Sequence, residues 1–241
     1  MSDTSRIGGA AFIAAGLVLG AGVATGGFFI SKTMVNQALV DTAEVKGLAE
    51  RAVKSDQAIW SIGYKVSNDD LKAGYAQADA AAKTIRAFLA SNGFKAEEII
   101  AGQTGVTQNE YRDANGSLVE TSYDILGSIV VTTTDVKAVD AASQKVGDLI
   151  AAGLLLTDAT PRYLFTGLNA IKPEMLREAA QNARVAADEF AKNAGVSVGS
   201  IRTATQGGFE IHDANSGDYG GDDRSIDKKV RVVTNVTFYL D

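Results

Sequence analysis

The sequence predicts an α+β fold preceded by an N-terminal transmembrane helix. Three observations predict it. No charged side chain stands between Arg6 and Lys32. Beyond Lys32, stretches of period-two alternation are interleaved with longer helical stretches, the mixture expected of sheets that are not purely parallel. The order strand–helix–strand–strand then occurs twice, as two duplicated lobes.

Residues 1–6 form a short tail, and 7–31 the apolar segment. At about 1.5 Å of helical rise per residue, that segment is long enough for a hydrocarbon core of roughly 30 Å. It reads as an uncleaved signal anchor or as a secretory signal peptide. Ala21-Gly22-Val23-Ala24 supplies small residues for cleavage. Against cleavage, Arg6 is the only positive side chain before the run and Asp3 accompanies it. The run also continues past Ala24 through Phe28, Phe29 and Ile30. Gly16 with Gly20, and Gly22 with Gly26, stand four apart and would share a helix face, the spacing that lets two helices approach closely in lipid. The general Gly and Ala richness of signal-like segments explains the same spacing. The expected partners are thus the lipid bilayer and further copies of the chain.

Residues 32–45 read as a polar stalk, helical or extended. A strand over 57–66 places Ala58, Trp60, Ile62, Tyr64 and Val66 on one face. Asn68-Asp69-Asp70 offers short acceptors for a helix start, the helix covers 71–92, and Gly93 ends it. A strand over 100–111, the turn Asp113-Ala114-Asn115-Gly116 and a strand over 118–133 make a hairpin, since Asn-Gly tolerates positive φ. Asp135 caps a linking helix over 136–152, and Gly153 stops it. The second half repeats the order: a strand over 156–165, a helix from Pro173 to 193 with Gly195 as its stop, a strand over 201–211, a turn from Asp213, and a strand over 228–240. Pro173 fits a first helical turn, where a missing N–H costs nothing. Ala78, Phe88, Gly93, Ile99 and Gly105 match Ala180, Phe190, Gly195, Ile201 and Gly207 at a constant offset, as a duplication would produce. The lobes are expected over 46–134 and 156–241.

Composition narrows the function. The 241 residues carry a net charge of −6 and the pI is near 4.9. A nucleic-acid binder wants a basic face, so none is expected as partner. Cysteine is absent and histidine occurs once. Thiolate and polyhistidine metal sites are therefore excluded, as is nucleophilic machinery that does not use His212. No phosphate-binding loop, Gly-x-Ser-x-Gly or dinucleotide fingerprint occurs. The sequence offers no catalytic, cofactor-binding or metal residues, and no enzyme is expected.

Four local features carry weaker signals. The stretch Asp213–Asp223 is acidic and Gly-rich but places Gly217 and Asp218 out of order for a calcium loop; it reads as a solvated hairpin tip. His212 beside Asp213 and near Glu210 reads as a surface histidine. Arg162 and Tyr163 after Pro161 read as an edge strand. Acid pairs such as Asp69-Asp70 and Glu97-Glu98 read as element-end charges. The aromatic residues Trp60, Tyr64, Phe88, Phe94, Phe165, Phe190, Phe209 and Phe238 read as core.

The stretch 44–58, with Lys54-Ser55-Asp56-Gln57-Ala58 at its end, resembles the opening signature of the SIMPL-domain family, with Ser55 where Pro is common. Leu176 to Ala187 with Gly195, Val196 and Gly199 resembles the family's second long helix and the turn after it. Lys229-Val230-Arg231-Val232 through Phe238 resembles its last strand. The resemblance implies an exported bacterial envelope protein with two α/β lobes. Relatives include a periplasmic immunogen that assembles into a large ring or channel-like oligomer, and stress protection has been proposed for the family. No catalytic residues carry over. The expectation is a non-enzymatic, membrane-anchored protein that assembles into a ring- or cage-like oligomer, held in the inner membrane with its soluble domain in the periplasm. The alternative is a cleaved, soluble periplasmic module that binds a small ligand or client protein.

Overall fold

The computed structural model of the protein describes residues 20, 22, 25–27, 41–215 and 223–241. From Thr42 the described chain runs first through two long strands, β1 (Thr42–Lys54) and β2 (Gln57–Asn68). Helix α1 (Leu71–Ser91), a 3-10 turn (Ala96–Glu98) and strands β3 (Ile99–Ala101), β4 (Gly105–Arg112) and β5 (Leu118–Thr133) follow. Next come α2 (Val136–Ser143), α3 (Gly147–Ala151), β6 (Leu155–Asp158), β7 (Pro161–Leu164), α4 (Leu168–Ala194), β8 (Val198–Asp213) and β9 (Asp227–Leu240).

Local chemistry sets most boundaries. Asp70 accepts from Ala73 N at 2.7 Å and caps α1, while Asn68 Oδ1 accepts from Asp70 N at 2.8 Å. Gly93 then adopts φ +93°, which a side chain disfavours. In the β4–β5 turn, Asp113 Oδ1 accepts from Asn115 N and Ser117 N, and Gly116 takes φ +79°. Asp135 caps α2 through Ala138 N at 3.0 Å.

Two sheets form. One has the order β1-β9-β8; the other has β3-β5-β2-β6, with β4 pairing β5 and β7 pairing β2. The β2–β5 ladder is antiparallel from Ala58↔Thr133 to Asn68↔Tyr123. Ala58, Trp60, Ile62 and Tyr64 face one core with Ile85 and Leu89 of α1 and Ile125, Ile129 and Val131 of β5. Trp60 meets Phe88 and Phe94 edge-on at 6.4 and 6.3 Å, and its Nε1 donates to Ala159 O at 2.8 Å.

The described chain divides into two compact units. One comprises the chain up to Gly47, Ala180–Gln206 and Thr234–Asp241; the other comprises Leu48–Ala179 and Gly207–Val233. In the first, Ala183 and Ala187 pack with Val236 and Phe238. In the second, the Trp60 core is joined by a smaller cluster around Ala49, Met175, Ala179, Val230 and Val232.

The α+β mixture stands, but the expected fold needs correction. Among the described residues no helix is long and apolar enough to cross a membrane. The longest, α4, carries charges along its length, among them Lys172, Glu174, Arg177, Arg184, Asp188 and Lys192. Most of the span expected over 7–31, Gly16 included, lies outside the described residues. The expected stalk gives way at Thr42 to β1, which lies beside β9 in the three-stranded sheet. The two halves repeat element order but not pairing: β6 and β7, the opening strands of the second half, add to β2 of the first. Gly93 and Gly195 both sit at helix ends with positive φ. The other matched positions diverge: Ile99 is buried and Ile201 exposed, and Phe190, expected in the core, is 57% exposed.

Four elements also differ in extent. The strand expected over 100–111 is split into β3 and β4. The helix expected over 136–152 is broken into α2 and α3. The strand expected over 156–165 is interrupted before Pro161 and pairs with β2 as two pieces. Helix α4 begins five residues ahead of Pro173, so the proline is interior and the Asn169 carbonyl lacks its usual N–H partner.

Candidate interaction surface

The site is built from the β4–β5 hairpin, which outgrows its sheet. Strand β5 has 16 residues, and β2 reaches only to Tyr123 along it. Residues 118–122 therefore pair with β4 alone, from Asn109↔Ser122 to Arg112↔Leu118. They make a two-stranded arm. β-branched and aromatic residues such as Val106, Thr107, Tyr111 and Val119 suit extended backbone, and the Asp113–Gly116 turn closes it.

The arm leaves apolar side chains bare beside the exposed Glu110, Arg112 and Glu120. Tyr111, Leu118 and Val119 are exposed, Val119 by 67%. The pairing passes from Tyr111↔Glu120 to Arg112↔Leu118, so Val119 is the extra residue of a β-bulge. β4 has no second strand on its outer side among the described residues. An isolated two-stranded ribbon is marginal in water, and an open edge invites another strand.

The base of the arm is fixed by charge. The Asp124 carboxylate receives Lys65 Nζ at 2.8 Å, Ser67 Oγ at 2.5 Å and Asn109 Nδ2 at 3.0 Å. These donors come from β2 and β4, so one side chain on β5 ties three strands together. Lys65 first, then Ser67 and Asn109, hold the Asp124 pKa down to about 2. Near this base, Leu71 and Tyr75 of α1, Val106 of β4 and Tyr123 of β5 line an open depression of about 690 Å³, with Asp69 and Asp70 on its rim.

The residues singled out from sequence fall elsewhere. Gly20, Gly22 and Gly26 are helical and exposed, with open space where a Cβ would stand; Gly16 lies outside the described residues. Arg162 is an edge-strand residue paired with Asp223 at 2.6 Å, and Tyr163 is buried, its phenol pushed up to about 12 by burial and by Asp140. Asp213 is not solvated. It is buried against Lys228 and accepts from Arg224 N and Ser225 N, so it anchors the loop rather than offering an oxygen to a cation. Residues 216–222 of that loop lie outside the described residues. His212 has Nε2 3.5 Å from Glu210, and its Nδ1 is buried without a partner. Among the described residues no acidic or histidine cluster is arranged to hold a metal.

The Lys54-Ser55-Asp56 stretch is a clasp. Ser55 N donates to Ile226 O at 2.8 Å, Asp56 N donates to Leu164 O at 2.9 Å, and Asp56 Oδ1 accepts from Thr166 N at 2.8 Å. Its role is to hold the β1–β2 turn. Sequence reading missed the arm, although one signal was present: Leu118 and Val119 follow the Asp113–Gly116 turn almost directly, where a solvated hairpin tip would be polar.

A protein-family model described as SIMPL, protein of unknown function (DUF541), matches residues 43–238. No curated protein matches the chain.

Proposed function

This chain belongs to the SIMPL family, and from that premise we propose that it is an exported, non-enzymatic protein that assembles with copies of itself through the β4–β5 arm. The observation that carries the proposal is the arm: two strands beyond the sheet, an open edge on β4, and Leu118 and Val119 exposed by 52% and 67%. A solitary chain leaves that surface in water. A second copy laid along the β4 edge would pair its free N–H and C=O groups and cover the apolar side chains. Export is supported by the uncharged run between Arg6 and Lys32.

The test is sedimentation velocity on the full chain in mild detergent, with the double variant Leu118→Asp, Val119→Asp beside it. Wild type is expected as a discrete multimer and the variant as a smaller species with unchanged circular dichroism. A wild type that stays monomeric at high concentration, or a variant of unchanged mass, contradicts the proposal.

A further inference from the structure

We infer that the cleft between α1 and the β2–β5 sheet is a binding site for a small monocarboxylate. The cleft has a volume of about 340 Å³. Its polar lining includes Tyr64 from β2, and Asp79, Lys83 and Arg86 from α1. Ala78 and Ile129 supply apolar wall. A small pocket with apolar walls and a few convergent polar groups is the usual form of a small-molecule site.

Charge selects the ligand. Lys83 Nζ is engaged by Asp79 at 2.7 Å, and the two cancel. Arg86 supplies the remaining positive charge. Its Nη1 reaches the Ile99 carbonyl only at 3.5 Å, so the rest of its planar fork is uncommitted and presents the geometry that pairs with a carboxylate. One surplus positive charge matches one carboxylate.

Tyr64 is the second, independent observation. The residue is 95% buried, being 5% exposed, yet it lines the cleft. Its ring lies across β5 at Gly127, where any side chain would overlap the phenol. Glycine at 127 is thus what lets the hydroxyl sit at this place. Burial first, and Asp79 second, raise the Tyr64 pKa, so the group remains an O–H donor at neutral pH. A carboxylate seated on Arg86 has a second oxygen for that donor, and its alkyl part faces Ala78 and Ile129. The mouth is open enough for exchange with solvent, and the volume admits only a small acid.

The test is titration calorimetry on the full chain with sodium butyrate, and with butyramide and inorganic phosphate as comparison probes at matched ionic strength. Butyrate is expected to bind saturably and butyramide not to bind. Arg86→Gln is expected to weaken butyrate by about tenfold or more, the scale of a lost charge-assisted hydrogen bond. Tyr64→Phe keeps the ring and its packing, and is expected to weaken butyrate by a few-fold. It serves alone if Arg86→Gln does not fold by circular dichroism. Absence of butyrate binding, equal binding of butyramide, phosphate binding as tight as butyrate, or affinity unchanged in the variants each overturns the inference.

Discussion

A single carboxylate shows how this fold assigns structural work to residues. Asp124 takes donors from Lys65, Ser67 and Asn109 and so joins β2, β5 and β4 at the root of the arm. Its pKa falls from the ordinary value of 3.8 to about 2. The folded state therefore favours the ionised form more than the unfolded chain does. That contribution is present above the unfolded pKa and is lost as pH falls through the folded one. Asp124→Asn is expected to lower the denaturation midpoint at neutral pH. The difference from wild type shrinks as pH falls from about 4 to about 2. Denaturant melts at several pH values check it, and a pH-independent difference counts against the role. Asp213 teaches a related lesson. An acidic, Gly-rich stretch reads as a wet loop, yet its first aspartate is buried against Lys228. Composition reports the average of a segment, and a buried ion pair is decided by one partner fifteen residues away.

At the scale of elements, α4 is governed by small residues. Met175, Ala179, Ala183, Ala187 and Ala191 are buried at intervals of four, a stripe that brings helix and strand backbones close together. Ala183 and Ala187 meet Val236 and Phe238, while the Arg184 guanidinium lies 5.4 Å from the centre of the Phe238 ring. Ala187→Leu adds volume where none is free and is expected to cost about 1–3 kcal/mol, read as a lower urea midpoint with an unchanged slope. The same stripe explains why Phe190 was misplaced from sequence: it sits three residues past the buried Ala187 on a helix whose apolar face is made of alanines, so aromatic character alone points the wrong way. Helix ends, by contrast, were legible. The Asp70 and Asp135 caps and the glycines at 93, 153 and 195 act through their own backbone chemistry, which tertiary structure need not supply.

For the whole molecule, the run of strands and helices beyond β1 was broadly readable, because alternation and turn residues are local, but the strands expected over 100–111 and 156–165 each fall into two. β5 covers the very residues its alternation predicts, 118–133. Pairing was not readable. β1 joins β9, and β6 with β7 joins β2, so each half contributes opening strands to the other half's sheet. A period-two pattern says which face of a strand is buried and nothing about its neighbour. The candidate surface was half-legible: its turn was evident, its excess length over β2 was not, since that depends on where a partner strand ends. The cleft at Tyr64 was hidden for a similar reason, as Arg86 and Tyr64 lie 22 residues apart and meet only when α1 packs on the sheet. Assembly requires that another copy cover the arm. Hydrogen exchange across a dilution series of the full chain tests it most directly, read at the amides of β4 and of residues 118–122. Protection there is expected to rise with protein concentration while the β2–β5 ladder stays constant. Arm amides that exchange at one rate from the most dilute sample to the most concentrated would contradict it.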